Sequence, residues 1–359
     1  MTVTTKEIKV LIIDDSALVR SMFRKIFTQD PRITVVGTAI DPIDAQKKIT
    51  QLKPDVLTLD IEMPKMDGIS FLEKIMSLKP MPVLMVSTLT TKGAEISLKA
   101  LDIGAVDYIP KPLSLNDKDE VDILEKELIK KVKLAAIARP RSNSRHHEIA
   151  KNINTKEKPH HYTPQANDKD KIIAVGASTG GVEALRELLN KMPDNIPPVV
   201  VAQHMPAQFT KTFAARLDKV CHLNVVEATD GTFLESGNVY VAPGDSHLLV
   251  DQKNGRYVCQ LDSEMPKVSG HKPSVDVLFD SVAKIYKGNA LGVILTGMGQ
   301  DGAQGMLEMK KAGAYNIGQN ADSCVVYGMP KAAKIQDAVH EEIALEKIAL
   351  HILNYLTKN

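Results

Sequence analysis

Nearly continuous apolar runs of strand length recur along this chain, each followed by an amphipathic segment of helix length. This alternation restricts the architecture more than any other feature. Between residue 9 and about residue 134 the runs are KVLIID, ITVVGTA, DVLTLD, MPVLMVS and AVDYIP. They lack the polar alternation of a half-exposed sheet, as expected of strands buried on both faces. Helical patterns such as ALVRSMFRKIF and ISFLEKIMSL separate them. The repetition is βαβ, which predicts an α/β domain built on a parallel, doubly wound sheet of flavodoxin-like type. A last helix over about 117–138 carries Val121, Leu124, Leu128 and Val132 at helical spacing.

The pattern breaks at Arg139. From there to Lys171 the chain reads RPRSNSRHHEIAKNINTKEKPHHYTPQANDKDK, polar, basic and almost free of large apolar side chains. Such a stretch cannot bury enough surface to offset the entropy lost on ordering. The pairs His146–His147 and His160–His161 in it are expected to be solvated side chains rather than metal ligands. The alternation then resumes with IIAVG, PVVVAQH, NVVEA, NVYVAP and ALGVILTG as strands. VEALRELLNKM and FTKTFAARLDKV are helices with one apolar face each. The expected organisation is therefore a first domain over 8–134, a polar flexible linker over 135–170, and a second doubly wound α/β domain over 171–357. A chain of 359 residues suits two domains.

Charge and composition exclude several classes. The formal net charge is +1, so no global field gathers nucleic acid or membrane surface. The second domain shows no helix-turn-helix or basic groove face, and no nucleic-acid partner is expected. No apolar run approaches the roughly 18 residues that span a bilayer, so the chain is not expected to be membrane-inserted. MTVTTKEIKV at the N-terminus lacks the apolar region of a signal peptide. Cys221, Cys259 and Cys324 form no C-x-x-C pair and read as reduced thiols, which suits a cytoplasmic location.

In the first domain, Asp14 and Asp15 end the first strand, Asp60 the third and Ser87 the fourth, and Lys111 follows the fifth. The carboxyl ends of the strands in an open parallel sheet line one crevice. Carboxylates gathered there repel unless a cation joins them, and a hard divalent ion such as Mg²⁺, with oxygen ligands, suits the set. Asp60 can then act as a nucleophile toward a phosphoryl group. The ion and Lys111 would neutralise the phosphoryl oxygens, and Ser87 could donate to one of them. Any one acid at a strand end could be a helix N-cap instead; the ordered set argues for the site. The segment resembles response-regulator receiver domains over about 120 residues, with all five signature positions matching. The resemblance implies phosphorylation at Asp60, with Ser87 and Lys111 as switch residues. It also implies Mg²⁺ held by Asp14, Asp15, Asp60 and the backbone carbonyl of Glu62, and a cis bond before Pro112.

The second domain opens with KIIAVGASTGG, a strand running into a glycine-rich turn. A dinucleotide fingerprint needs glycine at position 178, where Ser178 stands. A P-loop needs lysine after the second glycine, but Val182 follows Gly181. The fitting pattern is G-x-S-x-G, from Gly176 to Gly180, which can hold the Ser178 hydroxyl out at the sheet edge before a helix N-terminus. Taken alone, this is also compatible with a plain turn. PVVVAQHMP delivers His204 to the same edge, and ALGVILTGMGQDGAQG delivers Asp301. Serine, base and orienting acid are the parts of a triad, and triads are recognised by geometry rather than chain order. The N–H of Met298, in the glycine turn, could form part of an oxyanion hole.

GASTGG, QHMP, VYVAPGDSHL, HKPSVDVLF, LTGMGQDGA and CVVYGMP together resemble the catalytic domain of chemotaxis protein-glutamate methylesterases of the CheB type, in that family's order. GQNADS at 318–323 departs from the family's more acidic stretch there. The resemblance implies Ser178 as nucleophile, His204 as general base and then acid, and Asp301 as orienter, with no cofactor for the ester chemistry. The implied substrates are methyl-accepting chemoreceptors, as glutamate methyl esters and as glutamines to be deamidated, and the implied phosphodonor is a chemotaxis histidine kinase. The unphosphorylated first domain is expected to block the triad crevice. A rival class, a phosphorylation-controlled binding module with a degenerate second domain, is disfavoured because all three triad residues are present.

Overall fold

Val10, Leu11, Ile12 and Ile13 have no exposure at all, the consequence of a strand covered by helices on both faces. The structure, a computed structural model, describes residues 7–64, 66–88, 90–112, 118–138 and 156–358. The chain divides into two compact units, Met1–Ile153 and Asn154–Asn359.

In the first unit β1 (Ile8–Ile13), β2 (Ile33–Ala39), β3 (Val56–Asp60), β4 (Val83–Ser87) and β5 (Asp107–Pro110) form a parallel sheet in the order β2-β1-β3-β4-β5. The helices are α1 (Ala17–Phe27), α2 (Pro42–Leu52), α3 (Gly68–Leu78), α4 (Thr91–Ile103) and α5 (Lys118–Ile137). Short polar side chains start them: Ser16, Asp41, Asp67 and Thr90 each accept a first-turn N–H as N-caps of α1 to α4. Leu124, Leu128 and Val132 of α5 join Phe23, Ile26 and Phe27 of α1 in one buried cluster against Val10 and Ile12. Each such side chain contributes about 1.5–3 kcal/mol by burial. The order reverses beside β1, so the crevice opens where β1 and β3 end.

The second unit has β6 (Ile172–Ala177), β7 (Val199–Gln203), β8 (Asn224–Glu227), β9 (Asn238–Val241), β12 (Ala290–Ile294), β13 (Tyr315–Gln319) and β14 (Glu341–Ile343), all parallel, in the order β14-β13-β12-β6-β7-β9-β8. The chain moves outward from β6 through β7 on one side and through β12 on the other. The switch point is therefore at the ends of β6, β7 and β12. An antiparallel hairpin, β10 (His247–Lys253) and β11 (Arg256–Asp262), stands outside this sheet. Its turn is Asn254-Gly255, with φ of 53° and 75°, the pairing that suits a tight hairpin turn. The helices are α6 (Gly181–Asn190), α7 (Ala207–Val220), α8 (Val275–Tyr286), α9 (Ala303–Lys311), α10 (Met329–Ile335) and α11 (Leu345–Lys358). Val275, Leu278, Phe279 and Val282 of α8 share one core with Leu248, Val250 and Cys259 of the hairpin and with Ile172, Ala174 and Ile294 of the sheet. That packing fixes the N-terminus of α8 next to the switch point.

Part of the segment read as linker is held by the second unit. The Glu157 N–H donates to Asn190 Oδ1 at 3.1 Å and the His160 N–H to the Lys191 carbonyl at 3.0 Å. Tyr162 is buried, and its hydroxyl donates to Asp168 Oδ2 at 2.6 Å. Lys171 pairs with Asp168 Oδ1 at 3.2 Å. One anchoring tyrosine and one buried ion pair outweigh a composition that on average favours solvation. His160 thus differs from the expectation of a freely solvated side chain, while His161 is exposed. His146 and His147 lie outside the described residues. Among those residues, no helix is long and apolar enough to cross a membrane.

Candidate active site and phosphoacceptor site

Ser178 follows β6 and precedes α6, on a turn that only small residues allow. Gly180 has φ +79°, and a Cβ there would lie 2.7 Å from Val325. At Gly297, after β12, a Cβ would lie 2.8 Å from the Ser178 Cβ, so the two loops touch through backbone. The Ser178 N–H donates to the Thr296 carbonyl at 3.1 Å, which ties the ends of β6 and β12 together. Gln203 at the end of β7 donates through Nε2 to the carbonyls of Ser178 (3.0 Å) and His204 (3.2 Å).

These anchors bring the three predicted side chains into line. Ser178 Oγ lies 3.1 Å from His204 Nδ1, and His204 Nε2 lies 2.7 Å from Asp301 Oδ2. Asp301 can only accept, so Nε2 carries the proton and Nδ1 presents its lone pair to the serine hydroxyl. The Asp301 side chain is 1% exposed and that of His204 7%. Asp301 also accepts from the Ser274 hydroxyl (2.7 Å), the Val275 N–H (2.8 Å) and the Asp276 N–H (3.1 Å). Ser274 is the N-cap of α8, so the carboxylate sits on a helix N-terminus. Burial pushes the Asp301 carboxyl up, but the hydrogen bond and charge of His204, the Val275 N–H and the Ser274 hydroxyl outweigh it and hold the group down at about 2. Its neighbour Asp276 is pushed up to about 6, first by burial and then by the Asp301 charge, despite the Gly305 N–H it accepts.

Met298 is half-buried on the same turn as Gly297, and its N–H donates to no protein acceptor among the described residues. A free donor beside the serine loop suits an oxyanion. The sequence reading missed His271, whose ring stacks on that of His204 with centroids 3.7 Å apart and planes at 5°. It heads the HKPSVDVLF stretch, and its place there was the available signal.

The first unit gathers the other predicted set. Carboxylate oxygens of Asp14, Asp15 and Asp60 all lie within 4.8 Å of one another. Asp14 and Asp60 are buried and Asp15 is exposed. The Lys111 ammonium lies 2.8 Å from Asp60 Oδ2 and 3.1 Å from Asp14 Oδ2. Asp14 Oδ1 accepts the Ser16 N–H at 2.8 Å, whereas Oδ2 is buried and, its ion pair with Lys111 apart, accepts no hydrogen bond. Asp60 accepts the Glu62 N–H at 3.4 Å. Burial and then repulsion by Asp14 push the Asp60 carboxyl up to about 6, against the pull of Lys111 and the Glu62 N–H. Burial opposes the charge on Lys111, but Asp60 and Asp14 raise its pKa nonetheless. An under-satisfied buried carboxylate oxygen amid three acids fits a hard divalent cation.

Two further details concern Ser87 and the proline bonds. The buried Ser87 hydroxyl lies 3.2 Å from the Gly93 carbonyl and 3.3 Å from that of Thr88, so it donates to the start of α4. The cis peptide among the described residues is Lys272–Pro273, not Lys111–Pro112. An X–Pro bond prefers trans by only about 0.5–1 kcal/mol, so its surroundings decide, and the local sequence does not report them.

A phosphoacceptor-type sheet joined in one chain to a sheet carrying a serine, a histidine and an aspartate in line defines a class: response regulators whose effector is a hydrolase. Comparison with known proteins narrows it. The family profile for the response regulator receiver domain matches residues 10–120, and that for CheB methylesterase matches residues 173–352. A protein-glutamate methylesterase/protein-glutamine glutaminase of Chromohalobacter salexigens is 49% identical over 345 residues, covering 96% of this chain and 95% of that one. Its namesake in Thiobacillus denitrificans is 47% identical over 349 residues, covering 97% of each. The crystal structure of the Thermotoga maritima CheB methylesterase catalytic domain is 40% identical with a TM-score of 0.51, over 52% of this chain and 98% of that one. The chain belongs to the CheB methylesterase family.

Proposed function

We propose that this chain hydrolyses γ-methyl glutamyl esters on the cytoplasmic helices of methyl-accepting chemoreceptors, and deamidates receptor glutamines, under the control of phosphorylation at Asp60. The Ser178–His204–Asp301 line carries the reading. His204 Nδ1 takes the Ser178 proton as Oγ attacks the ester carbonyl. The Met298 N–H, with the N-terminus of α6 behind Ser178, stabilises the tetrahedral oxyanion. Asp301 stays ionised, accepts the hydrogen bond from Nε2–H throughout and stabilises the imidazolium. The imidazolium returns the proton to the leaving methoxy oxygen, and methanol departs. Water, deprotonated by His204, then attacks the acyl-serine carbonyl; the imidazolium returns that proton to Ser178 Oγ as the acyl–oxygen bond breaks, and glutamate is left. With glutamine the leaving group is ammonia and the steps are the same.

In the first unit Asp60 accepts the phosphoryl group of a chemotaxis histidine kinase. Asp14, Asp15, Asp60 and the Glu62 carbonyl would hold Mg²⁺, which supplies positive charge to the phosphoryl oxygens. Lys111 keeps a cation at the same oxygens, and Ser87 reports the change to α4, whose start its hydroxyl already binds. The supporting observation is the gathering of Asp14, Asp15 and Asp60, whose carboxylate oxygens lie within 4.8 Å of one another, with the Lys111 ammonium 2.8 Å from Asp60 Oδ2; burial and a like charge push the Asp60 carboxyl up to about 6.

The test is methanol release from methylated receptor membranes. Ser178→Ala removes one half-buried oxygen and leaves the fold intact, and it is expected to lower kcat by a factor on the order of 10⁶. Retention of more than a few per cent of activity would remove Ser178 as nucleophile.

A further inference from the structure

Two hydrogen bonds along one edge of the His204 ring, to Ser178 and Asp301, fix where that edge lies. The Cβ–Cγ bond anchors the ring at Cγ, but the bond to Ser178 lapses once the hydroxyl proton has moved. Rotation about Cβ–Cγ, which swings Nδ1 away from the reacting atoms, is then resisted at the ring edge by the bond to Asp301. A contact on the face would restrain that rotation directly. His271 supplies it: a planar ring parallel to within 5°, at van der Waals separation.

The backbone on either side of His271 is hydrogen-bonded. Val268 and His271 exchange N–H···O=C bonds of 3.1 and 2.9 Å around a turn in which Ser269 and Gly270 have φ of 52° and 81°. Positive φ at both central positions is the tight turn that closes a hairpin. Three residues on, Ser274 grips Asp301 through its hydroxyl. The Ser274 N–H donates to Nδ1 of the fully buried His247, whose Nε2 lies 3.0 Å from the Pro266 carbonyl. A single short segment therefore sets both the face of the base and the anion behind it.

We propose that His271 is a positioning residue for the reaction, holding the plane of His204 so that Nδ1 stays aligned with Ser178 Oγ. This rests on the reading of Ser178 and His204 as nucleophile and base. What His271 offers to His204 is a flat surface at van der Waals separation. A misplaced base of this kind costs up to about 100-fold in rate.

The experiment uses the full chain with methylated receptor membranes and compares His271→Ala, His271→Leu and His271→Phe with wild type and with Ser178→Ala. His271→Ala is expected to lower kcat roughly 10- to 100-fold with KM within about twofold. His271→Phe, flat but unable to titrate, restores kcat to within about threefold of wild type, while His271→Leu, of comparable bulk but not flat, stays with the alanine variant. The downfield proton of the His204 Nε2–H···Asp301 bond should stay sharp in wild type and His271→Phe, and broaden in His271→Leu. If the alanine variant fails to fold, the phenylalanine and leucine variants decide. Equal activity of those two would make His271 a space-filler, a change in KM alone would place it at the substrate, and either would overturn the proposal. Absence of methanol release by wild type, or its persistence in Ser178→Ala, would remove the reading of the triad and this inference with it.

Discussion

Asp60 and Asp301 are the same side chain at comparable positions, each buried beside the switch point of a parallel sheet, yet their surroundings hold them in opposite states. Asp301 accepts from an imidazole, a hydroxyl and two helix N–H groups, and its carboxyl is held down at about 2. Asp60 has Lys111 and one long N–H bond, faces a second buried carboxylate, and is pushed up to about 6. Burial raises both; the number of donors separates them. The difference matches the two chemistries. An orienting acid must remain an anion through every step, so its neighbours are all built in. A phosphoacceptor must exchange partners, so part of its stabilisation is left for a cation and a phosphoryl group to provide.

Replacing each acid by asparagine should break the comparison in opposite directions. Asp301→Asn takes away the anion behind His204 and lets the ring adopt the wrong tautomer, at an expected cost of about 10⁴ in kcat for methanol release. It also turns an NH₂ toward converging donors, so the second unit should lose about 1–3 kcal/mol at pH 7. The depressed pKa of Asp301 implies a contribution to stability that is present above its unfolded value of 3.8 and lost as pH falls through about 2.

Asp60→Asn should abolish labelling by a small phosphodonor and the accompanying rise in esterase activity, while leaving unstimulated hydrolysis in place. Its effect on stability has the other sign. A carboxyl raised from 3.8 to about 6 disfavours folding once pH exceeds the folded value, and the penalty vanishes as pH falls below 3.8. The substitution should therefore stabilise the first unit at pH 7, by on the order of 2 kcal/mol, and not at pH 3. Calorimetry at the two pH values reads this, and equal effects at both would contradict the assigned shift. Mg²⁺ should narrow the gain at pH 7 by stabilising the native carboxylate.

Much of this arrangement was legible in the sequence because strand ends in a doubly wound sheet share a crevice. Asp14, Asp60 and Lys111 meet as the alternation predicts, and so do Ser178, His204 and Asp301. What escaped was whatever depends on contacts distant in sequence. The β10–β11 hairpin carries an Asn254-Gly255 turn signal, but its strands lie outside the parallel sheet that the alternation describes. Ser274 caps α8, and only the packing of that helix shows that its hydroxyl also binds Asp301, 27 residues away. His271 lies on no regular element, so no periodicity could place it on His204. Tyr162 shows the limit of composition: one aromatic side chain fixes part of a stretch whose average is polar.

The most direct test of the opposed carboxylates is a ¹³C titration of the aspartate side chains in the full chain, assigned through Asp60→Asn and Asp301→Asn. Without Mg²⁺, the Asp60 carboxyl should titrate near 6, and it should move downward when Mg²⁺ is added. The Asp301 carboxyl should stay ionised to the lowest pH at which the chain remains folded, its midpoint lying near 2 with or without the ion. An Asp60 midpoint in the ordinary carboxylate range that ignores Mg²⁺, or an Asp301 that takes up its proton alongside Asp60, would contradict the account.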